Sequence, residues 1–149
     1  MENKANVIQF ATEKNFYSLK EFECKCGCGE NNIDIDLVAI LNDASGKLNR
    51  KIGFTSACRC ETHNKKVGGV LNSTHVSTPK KKCKGIDLVC KNGSEFFQLV
   101  KCFINTGVRR MIYHPRRGFL HIDIDRTRSQ DFIIVELDDH LIKKTKKEA

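Results

Sequence analysis

The sequence predicts an α+β fold in which helices back a mostly antiparallel sheet. Two observations carry that expectation. Leu37, Leu41, Leu48 and Ile52 recur at spacings near three to four, widened by Val38, Ile40 and Ala44, which is the stripe of a core-facing amphipathic helix. Short strand patterns then recur along the chain at 54–58, 85–90, 109–113, 119–125 and 132–137, each bounded by glycine, proline or polar residues.

Taken in order, residues 16–24 read as a short extended lead-in, and Asn31, Asn32 and Asp34 precede the first helix. Gly53 is expected to end that helix ahead of the first strand. Residues 61–67 suggest a short helix closed by Gly68 and Gly69. Ser94 suits the N-cap of a second long helix through Phe96, Phe97, Leu99, Val100, Phe103 and Ile104, with Gly107 as its stop. In the strand at 119–125, side chains two apart share a face. His121, Asp123 and Asp125 then project together while Leu120, Ile122 and Ile124 enter the core, although a solvated strand face has the same alternation. No repeat or composition shift divides residues 1–149, so one domain is expected, with 1–15 a lead segment and 138–149 a frayed basic tail.

Composition narrows the partners. With 26 basic against 18 acidic residues, the net charge of +8 favours an acidic partner: nucleic acid, an anionic membrane surface, or an anionic polymer such as bacterial cell wall. No stretch approaches the roughly 20 apolar residues of a membrane span. Residues 1–22 lack the apolar centre of a secretory signal, so synthesis in the cytoplasm and another exit route are expected. Eight cysteines are many for such a compartment. The runs Cys24-x-Cys26-x-Cys28 and Cys58-x-Cys60 match zinc knuckles of the Cys-x-x-Cys type poorly. Together with Cys83, Cys90 and Cys102, most of these thiols are expected to be packing residues or free.

His75, Asp87 and His121 carry the most chemistry. Two imidazoles and one carboxylate form a standard three-ligand set for catalytic zinc with a position left open for water, provided that they converge. Residues 54–87 read FTSACRCETHNKKVGGVLNSTH, then KGID, and residues 119–123 read FLHID. This resembles the zinc D-alanyl-D-alanine carboxypeptidase and L-alanyl-D-glutamate endopeptidase family, including its phage endolysins, over about residues 16–125. The lead segment SLKEFECKCGCG is similar to one branch of that family.

The resemblance implies that His75, Asp87 and His121 are zinc ligands and that Arg59 holds a substrate carboxylate or carbonyl through its fork of donors. It also implies that Ser73 orients the ligand loop, and that His63-Asn64 and Gly68-Gly69 are architectural. Two departures stand out. His75 and Asp87 are twelve residues apart, further than is usual in the family, and the added loop brings Lys80, Lys81 and Lys82 toward an anionic substrate. Many relatives carry an acid three residues before the last histidine, where this chain has Gly118. Asp123 is the substitute by position, as proton shuttle or as the partner that orients an imidazole. Tyr113 and His114 are secondary candidates for stabilising the oxyanion.

The function so implied is hydrolysis of peptide stems in peptidoglycan by a monomer that needs zinc, without nucleic acid or membrane insertion, after release from the cytoplasm as endolysins are released. Two other readings stay open. One is an inactive zinc-binding module of the same fold, like the related Hedgehog signalling domains. The other is a cysteine-zinc protein that binds nucleic acid, for which the cysteines and not the histidines hold metal.

Overall fold

The computed structural model describes residues 15–136; the basic tail and most of the lead segment lie outside them. The elements, in chain order, are helix α1 (Ile35–Leu48), strand β1 (Phe54–Ser56), helix α2 (Glu61–Lys66), β2 (Gly85–Val89), helix α3 (Gly93–Phe103), β3 (Arg110–His114), β4 (Phe119–Asp123) and β5 (Phe132–Val135). The five strands form one sheet in the order β1-β2-β4-β3-β5. Three pairings are antiparallel and β3 with β5 is parallel, so the fold is α+β with a mostly antiparallel sheet.

Local chemistry sets the ends of the helices, in part differently from expectation. Asp34 caps α1 by accepting from the Asp36 amide at 3.0 Å. The helix stops at Leu48, before Gly53, because Asn49 takes a left-handed φ of 51°. Asparagine tolerates that conformation better than most residues, and Ile52 is buried from the following extended segment instead of from the helix. Asn92, and not Ser94, caps α3: its side chain accepts from the Glu95 amide at 2.9 Å. The lead-in is not extended throughout, since Leu19–Phe22 winds into one 3-10 turn. There Ser18 N–H donates to the Glu21 carboxylate at 2.7 Å.

One face of the sheet packs on α1 and α3. Ile86 and Leu88 from β2, Met111 and Tyr113 from β3, and Leu120 and Ile122 from β4 are buried there with Leu37, Leu41, Leu99 and Phe103. Cys58, Cys83, Cys90 and Cys102 are buried in the same cluster as small apolar fillers, as expected of them. Phe22 extends this core from the 3-10 turn, stacked on Phe54 at 5.1 Å and tilted against Tyr17 at 5.8 Å. The Tyr17 hydroxyl donates to the Ile52 carbonyl at 2.5 Å and pairs with Ser45 at 2.9 Å, so the lead segment is bonded to α1 and its exit. Burial of this face leaves the opposite face, with Arg110, Ile112 and His114 of β3 and Phe119, His121 and Asp123 of β4, to line the polar side of the sheet.

Phe22 is 1% exposed, so Phe22→Ala is expected to cost about 3–5 kcal/mol. Urea unfolding followed by circular dichroism checks this, and a loss under about 1 kcal/mol would show that the lead segment is not part of the cooperative core.

Candidate metal centre

The register of the sheet builds the centre. Asp87 of β2 lies directly opposite His121 of β4 in an antiparallel pair, and both point away from the helices. His75 comes from the loop before β2. That loop is tied down by bonds from the Lys84 and Gly85 amides to the Thr74 carbonyl at 2.9 and 3.1 Å. The Ser73 hydroxyl accepts from the His75 amide at 3.2 Å, in line with the expected orienting role.

Three donor atoms meet. His75 Nε2 lies 3.1 Å from Asp87 Oδ1 and 3.2 Å from His121 Nδ1, and His121 Nδ1 lies 2.8 Å from Asp87 Oδ1. Tetrahedral ligands about 2.0–2.1 Å from zinc sit about 3.3 Å from one another, so the trio is spaced for one small cation. The outer nitrogens fix the tautomers. His75 Nδ1 is 2.8 Å from the Ala57 carbonyl, which only accepts, so this nitrogen carries the proton and Nε2 offers its lone pair inward. His121 Nε2 is 2.9 Å from the Asp123 carboxylate and donates to it, leaving Nδ1 free to ligate. Both imidazoles thus have the outer acceptor usual for metal-bound histidine.

Asp123 is fully committed to this work. Its side chain is 0% exposed. It accepts from His121, from Arg110 Nε at 3.0 Å and from the Asp125 amide at 3.2 Å. Burial resists its ionisation, but His121 and Arg110 outweigh that and hold its pKa below the usual carboxylate range. The same opposition acts on Asp87, where burial is overcome by His121 and His75.

Above the trio opens a cleft of about 360 Å³. Arg59 stands in its wall, with Nη2 4.0 Å from Asp87 Oδ2 and Nη1 donating to Asn64 Oδ1 at 3.1 Å. Asn64 is buried and donates in turn to the Val70 carbonyl at 2.9 Å, so it holds both the arginine and the cleft rim. Gly69 is required here: a Cβ would overlap Asn64 Oδ1 and lie 2.9 Å from Arg59 Nη1. Arg110, Arg117 and Arg128 line the cleft as well. Lys80, Lys81 and Lys82 do not line it. The added loop turns away through a Thr78–Lys81 bridge, and only Lys81 reaches back, to the Ser73 carbonyl at 2.8 Å. Its lysine supports the ligand loop from behind.

His114 also lines the cleft. It is two residues from Ile112, which pairs with His121, and so shares the polar face of β3. Its ring stacks on Phe119 at 4.3 Å, and Nδ1 lies 3.4 Å from Glu136. Burial lowers its pKa below 6.5, with Glu136 opposing and Arg117 assisting. Tyr113 points the other way, into the core. Gly118 occupies the β3–β4 turn with a φ of 71° and offers no acid.

The sequence profile of the peptidase M15 family matches residues 15–123, from the start of the described chain to the end of β4. The chain belongs to the peptidase M15 family. No curated protein gives a significant match. M15 peptidases depend on zinc, and the His75, Asp87 and His121 donors fit that metal in number, type and spacing. No helix among the described residues is long and apolar enough to cross a membrane.

Sequence reasoning had no access to the roles of Asn64, Arg110 and the Ala57 carbonyl. Asn64 was visible only as part of an architectural His-Asn pair. Arg110 was hidden because its partner, Asp123, is thirteen residues away across a hairpin. The carbonyl of Ala57 leaves no trace in side-chain identity.

Two measurements test this centre. In the metal-free protein burial alone would lower the His121 pKa, but Asp123 and Asp87 raise it to about 8. A value raised above the ordinary 6.5 stabilises the metal-free fold below pH 6.5, and that contribution is lost as pH climbs through about 8. Zinc requires the neutral ring, so affinity runs the opposite way: it should rise about tenfold per pH unit up to pH 8 and then flatten. Chelator competition, taken as the difference between wild type and His121→Ala, reads that slope; a flat profile from pH 6 to 8 would contradict it. Separately, Gly85→Ala places a methyl over Thr74 Oγ1 and 3.0 Å from His121 Cε1. It is expected to weaken zinc binding at this centre more than it lowers the melting temperature.

Proposed function

We propose that this M15 protein cleaves peptide stems of bacterial peptidoglycan, acting as a monomer at the cell wall after release from the cell that makes it. The observation that carries this reading is the convergence of the His75, Asp87 and His121 donors on the floor of an open cleft lined by four arginines. His75, Asp87 and His121 would hold zinc there, which would supply the Lewis acidity that activates water and a peptide carbonyl.

The remaining work falls to the chain. Stem peptides are short, anionic and rich in alanine. Arg59, Arg117 and Arg128 supply positive charge for their carboxylates, and Val67, Val70, Ile112 and Phe119 supply apolar wall for methyl groups. Arg59 is the substrate-positioning group because Asn64 and Asp87 aim its fork beside the metal ligands. Asp123, which accepts from His121, Arg110 and the Asp125 amide and whose side chain is sealed from solvent, orients His121 and keeps its Nδ1 lone pair inward.

His114 is then the proton carrier. It is neutral at pH 7 because its pKa is held below 6.5, it faces the cleft, and Glu136 is placed to stabilise the imidazolium once a proton is taken up. This supplies the function that Gly118 cannot.

Purified peptidoglycan is the substrate to test. Mass spectrometry should find new stem-peptide ends that vanish with chelator and with His121→Ala. Protein that carries zinc and releases nothing from several wall chemistries would favour the inactive module. Within an active protein, His114→Ala should lower kcat by about 10²–10⁴-fold with zinc content unchanged. Asp123→Asn should instead weaken zinc binding by about 10–100-fold. The opposite pattern, with zinc lost in the His114 variant and kept in the Asp123 variant, would exchange the two roles.

A further inference from the structure

The fold assembles a second cluster of metal donors, far in type from the first. Cys24, Cys26 and Cys28 lie on the loop after the 3-10 turn, and Cys60 precedes α2. Their four sulfurs all lie within 4.8 Å of one another. The sequence hid this because the fourth thiol is 34 residues from Cys26, and because Cys-x-Cys-x-Cys by itself is not a knuckle spacing.

Geometry separates the possible states of such a cluster. Cys24 Sγ is 3.4 Å from Cys26 Sγ, and Cys26 Sγ is 3.7 Å from Cys60 Sγ. A disulfide needs about 2.0 Å. Sulfurs at the corners of a tetrahedron with Zn–S of about 2.3 Å stand about 3.8 Å apart. These two separations are far too long for a disulfide and close to two edges of a tetrathiolate site, and all four sulfurs stay within 4.8 Å of one another. Backbone amides complete it: Cys60 N–H donates to Cys24 Sγ at 3.4 Å, Glu30 N–H to Cys28 Sγ at 3.4 Å, and His63 N–H to Cys60 Sγ at 3.3 Å. These amides hold the three sulfurs in place from outside the cluster. The loop wraps tightly through Gly27 and Gly29, whose φ values of 84° and 80° suit glycine.

We propose that Cys24, Cys26, Cys28 and Cys60 form a second, structural zinc site, closed by four protein ligands and taking no part in hydrolysis. Its position gives it a purpose. Cys60 follows Arg59 directly, and the Arg59 backbone is bonded on both sides to the ligand strand, by Arg59 N–H to the His75 carbonyl at 2.9 Å and by Ser77 N–H to the Arg59 carbonyl at 2.8 Å. Cys58 N–H donates to the Phe22 carbonyl at 3.3 Å. A metal joining the 24–28 loop to Cys60 staples the lead segment to the stretch that presents Arg59 and receives His75.

Metal counting tests the site without reference to catalysis. The full chain, purified under reducing conditions and weighed by native mass spectrometry, should carry two zinc ions. His121→Ala should carry one, and so should Cys26→Ser and Cys28→Ser, both at exposed positions chosen to leave the core intact. Cobalt(II) loaded into His121→Ala should show an intense thiolate-to-metal charge-transfer band and tetrahedral d–d bands, and Cys28→Ser should weaken the former. Thermal melting in chelator should fall for His121→Ala, whose remaining metal is the structural one. A wild type holding a single zinc that His121→Ala abolishes would overturn the proposal, as would cysteine variants that still hold two. A metal-free chain lighter by two hydrogens per disulfide would assign the cluster to a redox role instead.

Discussion

Asp87 faces His121 only because β2 pairs with β4 in one register, from Gly85 opposite Asp123 to Val89 opposite Phe119. A slip of one residue would turn Ile86 or Leu88 into the polar cleft and drive the carboxylate into the helix-packed face. The two demands reinforce each other. Ile86, Leu88, Leu120 and Ile122 are all fully buried, so the hydrophobic effect that assembles the domain also sets the metal donors side by side. The bulge between β1 and β2 at Phe54 and Ser56 lies on the other flank of β2 and leaves the β2–β4 ladder regular. The third ligand is added from outside the ladder. Its loop is held by amides of residues 84 and 85, at the first residue of that same strand.

Placing donors is insufficient unless their lone pairs point inward, and here backbone and side chain divide the task. His75 is oriented by a peptide carbonyl, an acceptor whose charge does not depend on pH. His121 is oriented by a buried carboxylate that is itself neutralised by Arg110. An unpaired carboxylate at 0% exposure would be costly; the arginine makes the arrangement tolerable, and the two carboxylates, Asp123 and Asp87, raise His121 to about 8 when no metal is present. The contrast with His114 follows from the same physics. That ring is half-buried beside Arg117 with only a longer contact to Glu136, so it is pushed toward neutrality. Two histidines on one sheet face are thereby driven apart in proton affinity, one suited to ligate and one to exchange protons.

How much of this was legible depends on the range of the interaction. The helical stripe of α1 and the alternation of Leu120, Ile122 and the polar residues between them are local patterns, and both elements form there, although α1 stops at Leu48 short of Ile52 and β4 stops at Asp123 short of Ile124 and Asp125. The convergence of His75, Asp87 and His121 was legible because the short motifs around each resemble a family's, although the spacing between the first two does not. Boundaries set by a single cap were not: Asn49 and Asn92 ended or began helices at positions where a glycine and a serine looked better. Contacts that depend on tertiary closure were least visible. Nothing in the run of Lys80 to Lys82 shows that the loop turns from the cleft, because that depends on the Thr78–Lys81 bridge and on the Ser73 carbonyl that Lys81 finds. The cysteines divide along the same line. Most were expected to be packing or free thiols; Cys58, Cys83, Cys90 and Cys102 do pack in the core, while the other four are grouped only because Cys60 is brought beside a loop from the other end of α1.

That cysteine arrangement bears on why Arg59 can be placed accurately at all. The residue sits in irregular chain between β1 and α2, and α2 is only six residues long. Neither element is long enough to fix a side chain by itself. Four restraints substitute: the backbone bonds to His75 and Ser77, the Asn64 side chain on Nη1, the close approach of Gly69, and Cys60 tied to the lead loop. Each removes a different freedom, and together they hold a guanidinium of which Nε is buried without a protein partner. A buried donor left in that state costs stability, so the scaffold around it must be rigid enough to prevent the arginine from relaxing toward solvent. The cysteine cluster is the restraint with the longest reach along the chain, joining the residue after Arg59 to a loop 36 residues earlier. Precision at the cleft is in this view a property of the irregular segments, obtained by stapling them, while the sheet supplies only the floor.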